Sequence, residues 1–146
     1  MTAIEVPTPR VRTGGRFASI VIFAAQSFLI AAYVALIIVP FLVNDLHNEP
    51  ESQVGGGWFD PKSLWPANTE PFGPVFTTVA TLTWAFSYIL SGIITLAAVI
   101  TAATQWRKLQ SPSRARLVGA VVLGTMFLWF LLGTDTGELI SSWMAD

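Results

Sequence analysis

Asp135 and Glu138 are the titratable residues whose position in this sequence most strongly suggests chemistry. They are three residues apart, which places both carboxylates on one face of a helix, and they follow the apolar stretch 117–132. A carboxylate inside a bilayer is costly and is usually kept for function. The pair is therefore a candidate for binding a cation, carrying a proton or pairing with an arginine of another subunit. If the helix ends before them, both carboxylates are solvated instead.

Polar side chains inside the apolar stretches are the second set of candidates. Gln26 is the only amide within residues 17–43, and an amide without a partner in hydrocarbon costs several kcal/mol. A rise of about 1.5 Å per residue along antiparallel helices places Gln26, Thr95 and Thr125 at nearly the same depth. We expect a polar contact among these three residues, either structural or with a substrate.

Tyr88 lies near the middle of the bilayer by the same count, so its hydroxyl needs a partner and could contact a quinone or a haem edge. No histidine or methionine pair at helical spacing could ligate haem, since His47 lies between the apolar stretches and Met126 has no facing ligand. We therefore expect no cofactor in this chain.

His47 lies among acids that could in principle hold a metal with it. One histidine among flexible carboxylates is more typical of a solvated loop, so we expect no metal site. The acids concerned are Asp45, Glu49 and Glu51.

Catalytic motifs are missing from the sequence. There is no cysteine, which excludes disulfides and thiol catalysis, and the glycine run 55–57 is not followed by the Lys-Ser/Thr of a phosphate-binding loop. We expect no catalytic residues and no enzymatic activity of the chain itself, although it could be a subunit of an enzyme complex.

The composition is that of an integral membrane protein. Of the 146 residues 53% are hydrophobic and 12% are charged, where a soluble domain has about 25% charged residues. No charge occurs within 17–44, 71–106 or 117–134, and each stretch approaches or exceeds the roughly 18 to 20 residues that cross a hydrocarbon core. The sequence predicts one all-α membrane domain over 1–146 with three transmembrane helices at about 17–43, 74–107 and 113–137.

Charge asymmetry predicts the orientation of these helices. Seven of the eight Lys and Arg residues flank the helices on one side, and only Lys62 lies on the other. The positive-inside rule then places the tail 1–16 and the turn 108–112 in the cytoplasm, and the loop 44–73 and the segment 138–146 outside. The seven residues are Arg10, Arg12, Arg16, Arg107, Lys108, Arg114 and Arg116.

The first apolar stretch could also be read as a secretory signal. Its 27 residues, 17–43, exceed the 7 to 15 of a cleaved signal, so we interpret it as an uncleaved anchor. The membrane is expected to be the cell membrane, plasma or inner.

The outer loop 44–73 is rich in proline, glycine and aromatic residues, which predicts irregular structure along the membrane surface. Tryptophan prefers the headgroup level, so four tryptophans are predicted to be interface aromatics. They are Trp58, Trp65, Trp106 and Trp143. The last of them belongs to an apolar stripe after Gly137 that either extends the third helix or forms a short interfacial one.

Each helix carries a face of small or polar residues that is typical of helix packing in a bilayer. The second helix has a heptad seam of Thr77, Thr81, Trp84, Tyr88, Ser91, Thr95, Ala98 and Ala102. The first has Ser27, Ala31 and Ala35, and the third has Ala120 with Gly124 and Gly133 with Gly137. Packing is the favoured interpretation of these faces, and a lined pathway or ligand groove is the alternative.

Two functions fit these features. The favoured one is a non-catalytic accessory or assembly subunit of a multi-subunit membrane complex, respiratory, secretory or transporting. The alternative is a small transporter or channel protomer that acts as a homo-oligomer with Asp135 and Glu138 at the pathway mouth. Expected partners are membrane lipids, including lipid bound in helix grooves, and other membrane subunits. A net charge of −1 without a basic block excludes a nucleic-acid partner.

Overall fold

The protein is an all-helical bundle in the computed structural model, which describes residues 14–145. Three of its helices are long and apolar enough to cross a membrane, which confirms the predicted class and the number of such helices. Helix α1 covers Gly14–Val43, α2 Glu51–Val54, α3 Gly73–Gln105, α4 Ser111–Gly133 and α5 Asp135–Ala145, with short 3₁₀ turns at Leu46–Asn48 and Trp106–Lys108.

The long helices α1, α3 and α4 each contact the other two. We call the end of the bundle beside residues 44–72 the loop end, and the opposite end, beside residues 106–110, the turn end. The loop end buries large side chains, among them Tyr33, Phe41, Phe127 and Trp143. The turn end buries a smaller group, Ala98, Leu109, Leu117 and Ala120.

Helix α1 begins earlier than expected. It starts at Gly14, so residues 14–16 belong to the helix and not to a tail. The hydroxyl of Ser19 donates to the carbonyl of Arg16 at 2.8 Å within this first turn. The rest of the predicted tail, with Arg10 and Arg12, lies outside the described residues.

Pro40 changes the geometry of α1 before the helix ends. Proline has no N–H to donate to the carbonyl of Leu36, and the turn Val34–Ile38 just before it is π-helical. The N–H of Val39 reaches back five residues to the carbonyl of Val34. The widened turn thus accommodates the missing hydrogen bond without ending the helix.

The end of α1 is tied to the loop that follows it. Asp45 adopts a left-handed conformation with φ of 61°, which ends the helix. The side-chain amide of Asn44 donates to the carbonyls of Pro40 and Trp65, each at 2.7 Å. The loop is therefore held against the helix end even though most of it is irregular.

The predicted third helix, 113–137, is wrong at both ends. Helix α4 begins at Ser111 and stops at Gly133, because Thr134 is extended with φ of −126° and ψ of 143°. A helix of 23 residues is about 34 Å long, so α4 is long enough to cross a bilayer without residues 134–137. The C-terminal stretch is thus a separate helix, α5.

Gly137 closes the corner between α4 and α5. A Cβ atom there would collide with the carbonyl oxygen of Phe130 and would lie 3.0 Å from that of Leu131. Gly133, by contrast, lies near only Trp129 of its own helix. The two glycines do not form the helix-packing pair that their spacing predicts.

Candidate functional site

The polar seam between α1, α3 and α4 contains a buried hydrogen bond that joins α1 to α3. The Gln26 side-chain nitrogen donates to the hydroxyl of Ser91 at 3.0 Å, and both residues are fully buried. Gln26 has therefore found a partner on α3, as expected, but the partner is Ser91 and not Thr95 or Thr125.

Gly124 of α4 completes this contact by allowing close approach. A Cβ atom at Gly124 would collide with the Thr95 hydroxyl and would lie 3.4 Å from the side-chain carbonyl carbon of Gln26. Thr95 thus lies beside Gln26 without a hydrogen bond, since neither the Thr95 hydroxyl nor the Gln26 oxygen has a partner within the described residues.

Thr125 does not belong to the seam. It is exposed, whereas its neighbour Gly124 is buried. One residue along a helix turns the side chain by about 100°, so the depth estimated from the sequence was sound but the face was wrong.

The heptad seam of α3 lies mostly inside the bundle. Ser91 and Ala98 are buried, five members are half-buried, and Thr81 is exposed. The half-buried members are Thr77, Trp84, Tyr88 and Thr95, along with Ala102 at the end of the seam. On α4 the facing Ala120 and Gly124 are buried, which agrees with their predicted packing role.

Two buried polar residues of this region were missed from the sequence. Tyr33 is fully buried with its ring 5.1 Å from that of Phe127, edge to face, and its hydroxyl has no partner within residues 14–145. Ser87 is also fully buried and donates to the carbonyl of Trp84 at 2.9 Å. Tyr33 lies seven residues after Gln26, so the heptad that marks α3 could have identified it on α1.

Tyr88 connects the seam to α5. Its hydroxyl lies 3.3 Å from the hydroxyl of Ser141, which supplies the partner that the sequence required. A quinone or haem edge, the other contact considered for Tyr88, is not needed to satisfy its hydroxyl.

The small-residue face of α1 points away from the bundle. Ser27 is half-buried, whereas Ala31 and Ala35 are exposed together with Ala24 and Phe28. The exposed residues of this face therefore do not pack against α3 or α4 within the single chain.

Asp135 and Glu138 are exposed in the first turn of α5. Thr134 precedes them as a capping residue, since its hydroxyl accepts the N–H of Gly137 at 3.0 Å and donates to the carbonyl of Phe130 at 2.7 Å. Carboxylates stabilise a helix start through its dipole. A structural role therefore accounts for both acids.

Three of the four predicted interface tryptophans are exposed, and the fourth is not. Trp58, Trp65 and Trp106 are exposed, but Trp143 retains only 3% of its accessible surface. The Trp143 indole packs 5.6 Å from the Phe41 ring and donates to the carbonyl of Phe59 at 2.8 Å. The prediction for Trp143 is wrong because its stripe faces the bundle.

A cavity of about 290 Å³ lies at the loop end of the bundle. The last turns of α1, the loop, the first half of α3 and the end of α5 line it. Lys62, Trp65, Phe76, Trp84 and Trp143 contribute to this lining. The indole nitrogen of Trp84 is buried and has no hydrogen-bond partner within the described residues. No pattern in the sequence signals the cavity, because its walls come from four separate segments.

Acidic and histidine side chains do not form a cluster within the described residues. Within residues 14–145 no group of three or more His, Cys, Asp or Glu residues is placed to hold a metal ion. His47 lies 3.7 Å from Asp45, and both are exposed in the loop.

The chain was compared with protein-family models, curated proteins and solved structures, and none of them matches it. Its function is therefore inferred from the side chains and their placement alone. Two features are open to a partner molecule: the outer face of α1 and the cavity at the loop end.

Proposed function

We propose that this chain is a non-catalytic accessory or assembly subunit of a multi-subunit membrane complex, of respiratory, secretory or transport type. It would lie in the cell membrane with its N-terminus in the cytoplasm. The observation that supports the proposal is the outward-facing row of small residues on α1, Ala24, Ala31 and Ala35.

The outer face of α3 provides the comparison that makes this row informative. Between residues 86 and 100 every exposed residue of α3 is large and apolar, as at Phe86, Ile89 and Ile93. Lipid chains require only such apolar bulk, whereas helices that approach each other in a bilayer use small residues. Between residues 20 and 35 the exposed residues of α1 include the three alanines, so α1 is the helix best suited to contact a partner.

The polar seam of α3 supports the same proposal, because the middle of the seam is occupied by side chains of the chain itself. Gln26, Ser91 and Gly124 meet inside the bundle, so the chain's own side chains fill the middle of the seam, while its loop end borders the cavity. A pathway through this seam would need the three helices to separate. The transporter alternative has less support for this reason. The position of Asp135 and Glu138 in the first turn of α5 also explains the two acids without transport.

Substitution on the outer face of α1 tests the proposal. We expect A31L to release the chain from co-purifying subunits after mild detergent extraction, because the added side chain prevents close helix approach. A103L is the matched control, since Ala103 is exposed on α3 and receives the same added bulk. The measurement is the native mass of the extracted protein, with the associated chains identified by mass spectrometry.

Each result has a distinct meaning. Unlike subunits that are lost in A31L and retained in A103L support the accessory role. A symmetrical homo-oligomer, together with ion flux that D135N/E138Q abolishes, would establish the transporter alternative and contradict the proposal.

A further inference from the structure

The cavity at the loop end carries a second inference. We propose that it binds one anionic phospholipid, with an acyl chain among the aromatic side chains and the phosphate at Lys62. The argument uses the cavity lining alone and does not depend on the proposed accessory function.

Lys62 gives the mouth of the cavity its charge. It is exposed, it lines the cavity, and no aspartate or glutamate among the described residues lines the cavity with it. The one ion pair within residues 14–145 joins His47 and Asp45, so the Lys62 ammonium has no carboxylate partner there. Asp60 instead accepts the backbone N–H of Lys62, at 2.8 Å. The Asp60 carboxylate thus lies beside the Lys62 backbone but forms no salt bridge with the ammonium, which is free to contact an anionic ligand group.

We assign the second polar contact to Trp84, which also lines the cavity and whose indole would turn toward the ligand. Its indole N–H is buried without a partner in the described part of the chain, and a buried unpaired donor calls for an explanation such as a missing ligand. Trp84 lies three residues, or about 4.5 Å, along α3 from Thr81, which lines the cavity together with Lys62. A phospholipid matches this order of donors, because its charged phosphate lies outside its uncharged ester carbonyls.

An open groove connects the cavity with the outer side of α3. The groove and the cavity share Lys62, Thr77 and Thr81, and the groove continues to Leu82, whose side chain is exposed. A lipid could therefore enter sideways from the surrounding layer while its phosphate stays at Lys62. This access favours a lipid over a water-soluble anion.

The size of the cavity suits part of one lipid molecule. A volume of about 290 Å³ lies at the lower limit of the roughly 300 to 1,000 Å³ found for small-molecule sites. Trp65, Phe76 and Trp143 make the wall largely aromatic. The cavity can thus hold one acyl chain near the glycerol while the rest of the lipid lies in the groove.

Lipid titration of the full chain tests this proposal. The protein in neutral detergent is titrated with phosphatidylglycerol or with phosphatidylcholine of the same acyl chains, and native mass spectrometry counts the bound molecules. We expect one tightly bound phosphatidylglycerol per chain, with about fivefold weaker binding of phosphatidylcholine, because the choline ammonium of phosphatidylcholine neutralises its phosphate and is repelled by Lys62.

Variants assign the two donors. K62Q should weaken phosphatidylglycerol binding about fivefold and K62R should not, while K108Q, a matched loss of charge at the turn end, should leave it unchanged. W84F should weaken both lipids, since both carry ester carbonyls. Circular dichroism of each variant confirms that the helices are intact.

Three results would overturn the proposal. Equal affinity for the two lipids would show that the net negative charge of the headgroup is not recognised. Equal weakening by K62Q and K108Q would indicate general surface attraction. Unchanged lipid binding by W84F would exclude the ester contact at the indole.

Discussion

The two halves of the α3 seam are packed in opposite ways. Around Ser91 the side chains are small, and the three long helices close until Thr95 touches Gly124. Around Trp84 the side chains are large and aromatic, and a cavity of about 290 Å³ remains beside them. One heptad pattern therefore specifies a closed contact in the middle of the helix and an open one at the loop end. Side-chain size decides which of the two forms, because small residues allow backbones to approach and large ones hold them apart.

The closed half should be the more sensitive to added volume, and Gly124→Val gives the largest expected effect. A valine there collides with the Thr95 hydroxyl and with Gln26, so the free energy of unfolding should fall by about 1 to 3 kcal/mol. Denaturant titration in mixed micelles, followed by circular dichroism, measures the change.

Gly92→Val is the matched control for this comparison. Gly92 lies in the middle of α3, as Gly124 lies in the middle of α4, but a Cβ atom at Gly92 would meet nothing within 4 Å. We expect no comparable loss of stability. An equal loss in both variants would show that helix flexibility, and not contact at Gly124, sets the cost.

The hydrogen bond of the closed half should have a moderate effect. A double-mutant cycle with Gln26→Leu and Ser91→Ala should give a coupling energy of about 0.6 to 1.7 kcal/mol, the range for polar contacts between helices in a bilayer. Unfolding of the four proteins in the same micelles supplies the values. A coupling energy near zero would mean that Gln26 and Ser91 do not interact.

Added side-chain volume in the open half should change the free energy of unfolding least. Ala80→Val places two methyl groups into the cavity, so the free energy of unfolding should stay the same or rise by about 0.5 kcal/mol. Ala98→Val is the control, since Ala98 is fully buried in the closed part and should lose stability. If both variants lost the same amount, the contrast between the halves would not hold.

Several features of the fold could be predicted because they depend on short stretches of chain. The apolar stretches are long enough to cross a bilayer, and the structure has helices over all three. A proline inside a helix removes one backbone hydrogen bond whatever the tertiary structure, and a π-helical turn precedes Pro40. The need of Gln26 for a buried partner was also predicted, because an unpaired amide is costly in any arrangement of the helices.

The candidate site was harder to predict. Thr125 has the right depth but faces outward, and Trp143 lies in the bundle although its type favours an interface. Ala31 and Ala35 have the spacing of a packing face but are exposed in the single chain. Spacing shows which residues share a face, but it does not show what that face contacts.

The sequence by itself determined that three long apolar helices form and which residues of each helix share a face. These properties follow from local hydropathy, from the rise per residue and from the rotation of about 100° between neighbours. The tertiary structure alone decided that Gln26 pairs with Ser91, that the chain turns at Thr134 and that a cavity lies beside Trp84. The physical reason is that these features depend on how each helix is rotated against the others, and that rotation is set by the packing of all three together.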